Sequence, residues 1–457
     1  MNYSHQEETI IAQATSKMGA GALALIRLSG TDCYAVIDRI STLASKKTLS
    51  QASTHTIHYG TIKNSDQEPI DHVLFMIMRA PKSFTGENTL EITCHNNPFI
   101  IEAIIAEAVK AGARIAQEGE FSRRAVHNKK IDIIQAEAIN DLITANTQYA
   151  LKKSLAQLEG TLSSWISLCE ERLLKAFAFC DASFEFLDEE ISFSSTIKSI
   201  LEELLVDIQK NKKSFNQQES IRQGIRIALI GSVNSGKSSL FNALLGTARA
   251  IVTNQAGTTR DTLEAGMYKN SMYLTLIDTA GLRTTQDVIE KEGIKRSFQE
   301  AHKADIILLV FDGARSVTQE EEAVYAEISG SYAHKIIKIQ NKSDLNTNNR
   351  SVDTTFLQTS TINQSGLAEL ELFITVKIQA LFDSLDSPFL LNKRHHAILI
   401  SLEKKIREIL NLLDSAVQYE IVSYHLKDAL VLISELTGKS ISENGMDAIF
   451  KQFCVGK

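Results

Sequence analysis

GSVNSGKS, Gly231 to Ser238, decides how the middle of this chain folds. It fits the pattern GxxxxGK[ST] and directly follows the apolar run IRIALI, Ile225 to Ile230. A strand that runs into a glycine-containing turn and then a helix points backbone N–H groups at phosphate oxygens. Asn234, Ser235, Gly236, Lys237, Ser238 and Ser239 then line the phosphates, Lys237 neutralising charge and the Ser238 hydroxyl binding Mg²⁺. Such a pattern arises by chance in roughly one or two chains per hundred of this size, so its neighbours must decide.

Outward from it, MYLTLI (Met272 to Ile277), DIILLVFD (Asp305 to Asp312) and KIIKIQ (Lys335 to Gln340) are short apolar runs separated by helical stretches. That alternation predicts a parallel sheet of βαβ units. DTAG, Asp278 to Gly281, follows one run and NKSD, Asn341 to Asp344, follows another, so both join the phosphate loop at the carboxyl ends of the strands. Asp278 is expected to hold Mg²⁺ through water, followed by Thr279, Ala280 and Gly281, whose amide meets the γ-phosphate. Asn341, Lys342 and Asp344 form the base side. The Asp344 carboxylate suits guanine N1 and its exocyclic amine, groups that adenine does not present alike, so GTP is favoured over ATP. STIN, Ser360 to Asn363, follows TFLQT and is the expected last guanine loop, with Thr361 where GTPases usually have alanine. GTTRD, Gly257 to Asp261, occupies the switch position, with Thr259 the candidate second Mg²⁺ ligand. Leu282 stands where many small GTPases place a water-orienting glutamine, so water must be organised differently here.

At 457 residues, with 44% hydrophobic and 23% charged residues, the chain has the composition of several ordinary globular domains. Net charge −7 means that a nucleic-acid partner must meet a local basic patch; FSRRAVHNKK, Phe121 to Lys130, is a local basic stretch, and a solvated helix face is its bland reading. Five widely spaced cysteines without a CxxC pair suit reduced thiols. The start MNYSHQEETI has no signal-peptide pattern and no run is apolar enough to span a bilayer, so a cytoplasmic protein is expected. Glycine and proline are missing from Glu120–Glu159, Thr161–Gln223 and Phe389–Thr437, which predicts three long helical tracts. Residues 1–122 mix apolar runs with turns and one helix, an α+β pattern. In the last stretch, Met446, Ile449, Phe450 and Phe453 repeat at helical spacing, so the final helix is expected to run almost to the chain end.

Several long segments resemble the bacterial tRNA-modification GTPase family MnmE, also called TrmE. They are SFTGENTLEITCH (Ser83 to His95), AGARIAQEGEFSRRAVHNKKIDIIQAEAINDLI (Ala111 to Ile143), IVTNQAGTTRDT (Ile251 to Thr262), DTAGLR with GIKRS, then NKRH, IFKQF and the terminal CVGK. The resemblance covers essentially the whole chain. It implies an N-terminal α+β folate-binding and dimerisation domain (1–122), a helical bundle in two parts (123–222 and 383–457), and an inserted Ras-like P-loop GTPase domain (223–382).

It also implies chemistry. In the family, K⁺-dependent face-to-face pairing of two G domains triggers hydrolysis, the ion taking the charge-stabilising place of an arginine finger. Asn234 matches the K⁺-binding asparagine, and Thr253, Gln255 and Thr258 match the switch loop, Thr253 to Thr259 with Asn254, Ala256 and Gly257, that completes the cage over GTP. Glu290 matches the glutamate that organises the attacking water. Arg27, Glu91, Lys130 and Lys457 match residues that bind a tetrahydrofolate one-carbon donor, 5-formyl- or 5,10-methylene-. Cations suit a folate's glutamyl carboxylate, and a carboxylate suits the pterin's N–H donors. Cys454 matches a terminal cysteine considered as a chemical participant. The implied assembly is a homodimer that joins an FAD-carrying MnmG partner as a heterotetramer and modifies C5 of the wobble uridine of certain tRNAs with an aminomethyl or carboxymethylaminomethyl group.

Three departures stand out. Ser16 to Gly21 replace a Pro, Gly, Arg, Gly, Gly run, CHNN replaces CHGG, and Val233 replaces a proline. Asn96 and Asn97 are expected to supply the backbone freedom of glycine, because asparagine tolerates positive φ. Two other readings remain: a GTP-switched ribosome or RNA assembly factor without folate chemistry, and a family member that keeps the GTPase but has lost folate use.

Overall fold

The computed structural model describes residues 8–15, 21–185, 193–213, 215, 218, 222, 224–246, 263–269, 272–279, 297–345, 356–383, 387–415, 419–453 and 455–456. They form two compact units, one of 1–140, 157–201 and 404–457, the other of 141–156 and 202–403.

The first unit carries a sheet of β1 (Ile10–Gln13), β2 (Leu23–Ser29), β3 (Ser41–Leu43), β4 (Thr56–Lys63), β5 (Pro69–Met78), β6 (Thr89–His95) and β7 (Arg114–Ile115), in the order β3-β4-β5-β6-β2-β1-β7. Strand alternation explains its core: Ala24, Ile26 and Leu28 of β2, Val73, Phe75 and Ile77 of β5, and Leu90, Ile92 and Cys94 of β6 are buried together. Ile101, Ile104 and Ala108 of the helix Pro98–Lys110 pack on them. That helix shows what the two asparagines do. Asn97 has φ −120° and its side chain accepts from the Phe99 N–H, so it is an N-cap in extended conformation, and Asn96 donates its amide to the Gly21 carbonyl at 2.8 Å. The expected positive φ is therefore not used at either residue.

The first helical tract is broken into Glu120–His127, Ile133–Thr144 and Gln148–Leu158. Side chains, not glycines, make one of the breaks: Asp132 accepts from Gln135 N–H at 2.7 Å while Gln135 Oε1 accepts from Asp132 N–H at 3.0 Å, a reciprocal capping box. The second tract holds Thr161–Glu185 and Ser194–Lys213, the third Lys393–Asp414 and Tyr419–Thr437. Leu162, Ile166, Cys169, Leu173, Ala176 and Cys180 recur at helical spacing on one buried face of Thr161–Glu185.

In the second unit, β8 (Ile225–Gly231), β9 (Leu263–Lys269), β10 (Met272–Asp278), β11 (Ile306–Asp312), β12 (Ile336–Asn341) and β13 (Leu357–Gln358) form a sheet in the order β13-β12-β11-β8-β10-β9. Its pairs are parallel except β9 with β10, an antiparallel edge that the sequence reading did not include. Both faces are covered, which is why the strands are almost continuously apolar. Ile225, Ile227 and Leu229 pack with Leu240 and Leu244 of the helix Lys237–Gly246 and with Leu370, Ile374 and Ile378 of Leu367–Asp383. Ala228 and Ile230 pack on the other side with Tyr325 and Ile328 of the helix Gln319–Tyr332.

Candidate functional site: a phosphate loop and a guanine loop

Strand β8 ends at Gly231 and the helix Lys237–Gly246 follows it, and the loop between them is a cradle with little room. Gly236 has φ +89°, and a Cβ there would lie 2.2 Å from Asn341 Nδ2, so only glycine fits. Asn234 also has positive φ, +64°, and Val233 is exposed, so the missing proline leaves the turn intact. The Asn341 amide donates to the Ser235 carbonyl at 3.1 Å, and its Oδ1 accepts from the Thr359 hydroxyl at 3.2 Å. One asparagine of NKSD thus ties the phosphate loop to the segment after β13.

Lys237 is buried, with Nζ donating to the carbonyls of Gly231 at 2.7 Å and Ser232 at 2.6 Å. Burial pushes its pKa down to about 8, and the neighbouring Asp278 and Glu321 oppose that fall. A buried ammonium so poised fits an anion, whose charge would restore its own. Asp278 closes β10 fully buried, and the Thr279 hydroxyl donates to the Leu229 carbonyl at 2.9 Å. Ser238 and Ser239 are exposed. The Ser238 hydroxyl and the Asp278 carboxylate are oxygen donors suited to Mg²⁺, which would shield phosphate charge there.

On the base side, Lys342 adopts φ +60° and donates to Asp312 Oδ2 at 2.8 Å. The Ser360 hydroxyl, fully buried, donates to Asp344 Oδ1 and fixes that carboxylate, while Ser343 N–H donates to the Thr359 carbonyl at 3.1 Å. STIN therefore does lie against NKSD. A group outside the motifs supports the loop from below: Tyr325 Oη accepts from the Ser232 N–H at 2.7 Å, and Arg315 donates to Ser232 Oγ at 3.0 Å. Arg315 also pairs with Glu321 at 2.6 Å, holding that carboxyl down at about 2. The sequence carries a signal for this group in Thr318–Glu321, a capping box that opens the helix Gln319–Tyr332. Thr253 to Thr259, Ala280, Gly281 and Glu290 lie outside the described residues.

The first unit joins two residues of the other set. Arg27 on β2 and Glu91 on β6 are opposite each other in register, 2.7 Å apart, and Arg27 Nη1 donates to the Gly456 carbonyl at 3.2 Å. Phe84 and Phe121 rings each lie 5.8 Å from the guanidinium, contacts the sequence did not disclose. Lys130 runs along Gly86, whose missing Cβ would stand 3.2 Å from Lys130 Cγ, and donates to the Pro81 carbonyl at 3.0 Å. The two arginines of the basic stretch are committed, buried Arg124 to Glu87 and Glu120 and Arg123 to Glu443 and Asp447, while His127 to Lys130 are exposed. Cys454 and Lys457 lie outside the described residues. The final helix, Glu443–Phe450, stops earlier than expected; Phe450 and Phe453 join Ala136 in a core, and Val455 bridges to Glu118.

A mostly parallel sheet with a P-loop, Asp278 and Thr279 of DTAG, and NKSD at the carboxyl ends of its strands defines a P-loop nucleotide-binding domain of the GTPase type. The profile described as "MnmE helical domain" matches residues 133–454, and that described as "GTP-binding protein TrmE N-terminus" matches residues 9–130. A "tRNA modification GTPase MnmE" of Lachnoclostridium phytofermentans is 36% identical over 461 residues, covering 98% of this chain and 99% of that one. Proteins of the same description from Bacillus mycoides and Listeria innocua are 35% and 36% identical, each covering 98% of this chain and 99% of their own. The chain belongs to the MnmE (TrmE) family of tRNA modification GTPases.

Proposed function

We propose that this chain hydrolyses GTP with Mg²⁺ and K⁺ and, with an FAD-carrying partner of the MnmG type, modifies C5 of the wobble uridine of certain tRNAs from a tetrahydrofolate one-carbon donor. The observation that carries the nucleotide half is the Asn341 side chain joining the phosphate loop to the guanine loop, with Asp344 held by Ser360. Lys237 and Ser238 serve the phosphates and Mg²⁺. Asp344 selects guanine, and Asn234 with Thr253, Gln255 and Thr258 holds K⁺ between paired G domains of a homodimer. Glu290 orients water. Supporting the folate half is the pairing of Arg27 with Glu91 across two neighbouring strands, with the Gly456 carbonyl bonded to the same guanidinium. GTP hydrolysis gates the modification and does not itself supply the carbon. Mass spectrometry of wobble uridines from cells with and without the chain is the test. Loss of the C5 aminomethyl or carboxymethylaminomethyl group is expected on deletion, and unchanged uridines would instead favour an RNA assembly factor.

A further inference from the structure

We propose that Tyr325 and Arg315 are positioning residues for phosphate binding, acting through Ser232 on Lys237. Neither belongs to a nucleotide motif, yet both end on the phosphate loop. The N–H, hydroxyl and carbonyl of Ser232 are all taken. The N–H donates to Tyr325 Oη at 2.7 Å, Oγ accepts from Arg315 Nη2 at 3.0 Å, and the carbonyl accepts from Lys237 Nζ at 2.6 Å and from the Ser235 N–H at 3.3 Å. The Ser232 N–H and the Gly231 carbonyl belong to one planar trans peptide and point in opposite directions. Tyr325 on one side of that plane therefore sets the oxygen that holds Lys237, at 2.7 Å, on the other. Turning the peptide would turn the ammonium away from where phosphate must meet it.

Both groups are held firmly from behind. Tyr325 is 7% exposed on the helix Gln319–Tyr332, packed with Ala228 and Ile230, and its ring lies 4.4 Å from that of Phe311. Arg315 meets Glu321 through two bonds, of 2.6 and 2.9 Å, and Glu321 closes the capping box with Thr318. Nη2 carries two hydrogens, so it serves Glu321 and Ser232 at once. The loop itself supplies no covalent restraint here. Val233 is 80% exposed, and valine leaves φ unlocked, whereas a proline would fix that torsion and restrict Ser232, the residue before it. The helix Gln319–Tyr332 thus does for Ser232 from outside what a proline ring would do from within the loop.

Calorimetric titration of the full-length chain with GDP, beside its denaturation midpoint without nucleotide, tests this. Tyr325→Phe keeps the ring and removes only Oη, and GDP affinity is expected to fall by about tenfold, the cost of leaving the Ser232 N–H without its acceptor. Arg315→Met, compared within a Glu321→Gln chain so that no freed carboxylate contributes, should cost about fivefold. A lowered midpoint with GDP affinity unchanged in the folded variants makes both residues merely structural and overturns the proposal, as does no change in either quantity. Val233→Pro supplies the rescue: in its background Tyr325→Phe should cost less than about threefold, because the restraint on Ser232 is then shared. An undiminished tenfold loss there means that Tyr325 acts by a route other than restraining Ser232. Should Val233→Pro not fold, Ser232→Ala decides in its place. With Oγ gone, Arg315→Met in the Glu321→Gln chain should change GDP affinity by less than about twofold, and a full fivefold loss overturns the route through Ser232.

Discussion

Lys237 combines burial with a pKa brought down to about 8, and that has a consequence for pH. Phosphate raises the pKa of the bound lysine, so binding favours the charged form. Below about 8 the ammonium is already charged and affinity is at its full value; above it each binding event must take up a proton. GDP affinity should therefore fall as pH rises through about 8, by up to about tenfold per unit, and calorimetry in two buffers of different ionisation enthalpy should show proton uptake at pH 9. A flat profile from pH 7 to 9 would reject this account. Asp344→Asn replaces an acceptor pair with a side chain that must present one donor, so GDP affinity should fall by about a hundredfold, the cost of mismatching buried polar groups. Equal affinity for GDP and ADP in the unsubstituted chain would show that Asp344 does not read the base.

At the scale of elements, Asn341 joins two loops that are more than one hundred residues apart in the chain. Asn341→Ala removes the tie to Ser235 and leaves the buried Thr359 hydroxyl without its acceptor. About 1–3 kcal/mol per stranded group is expected, read as a lower midpoint in denaturant together with weaker GDP binding. Weakened binding without a change of midpoint would assign Asn341 to the ligand alone. The P-loop, DTAG and NKSD were legible because phosphate and guanine impose fixed residue types at fixed spacing. The β9 edge strand, LEAGMYK, was not, because an edge strand needs fewer apolar positions than a buried one. The tract breaks were half legible: Asp132 and Gln135 spell a capping box, but counting glycine and proline alone passes over it.

At the scale of the molecule, the K⁺ and Glu290 roles are the parts of the proposal that one assay separates. GTPase rate should be higher in KCl than in NaCl at equal ionic strength, and Glu290→Ala should lower kcat with GTP affinity nearly kept, the mark of an interaction made in the transition state. Equal rates in the two salts would exclude the potassium cage, and an unchanged kcat would take Glu290 out of the mechanism. Among the described residues no helix is long and apolar enough to cross a membrane. The basic stretch Phe121 to Lys130 gives the opposite lesson to the P-loop: its arginines, read as a solvated face or an RNA surface, are spent on Glu87, Glu120, Glu443 and Asp447.

By itself the sequence determined the class of the G domain and the family, since motifs that meet a ligand tolerate few residue types and so survive as readable strings. FCVGK was the hardest stretch to read. Helical spacing through Phe453 suggested a packed helix carried nearly to the end, yet the helix stops at Phe450. Only the tertiary structure decided the rest, bridging Val455 to Glu118 and setting the Gly456 carbonyl against Arg27. Backbone carbonyls and bridges have no residue type to betray them. A contact made by a main-chain oxygen with a residue some four hundred positions away leaves no pattern in a sequence, and exists only once the sheet, the helix and the tail have been packed together.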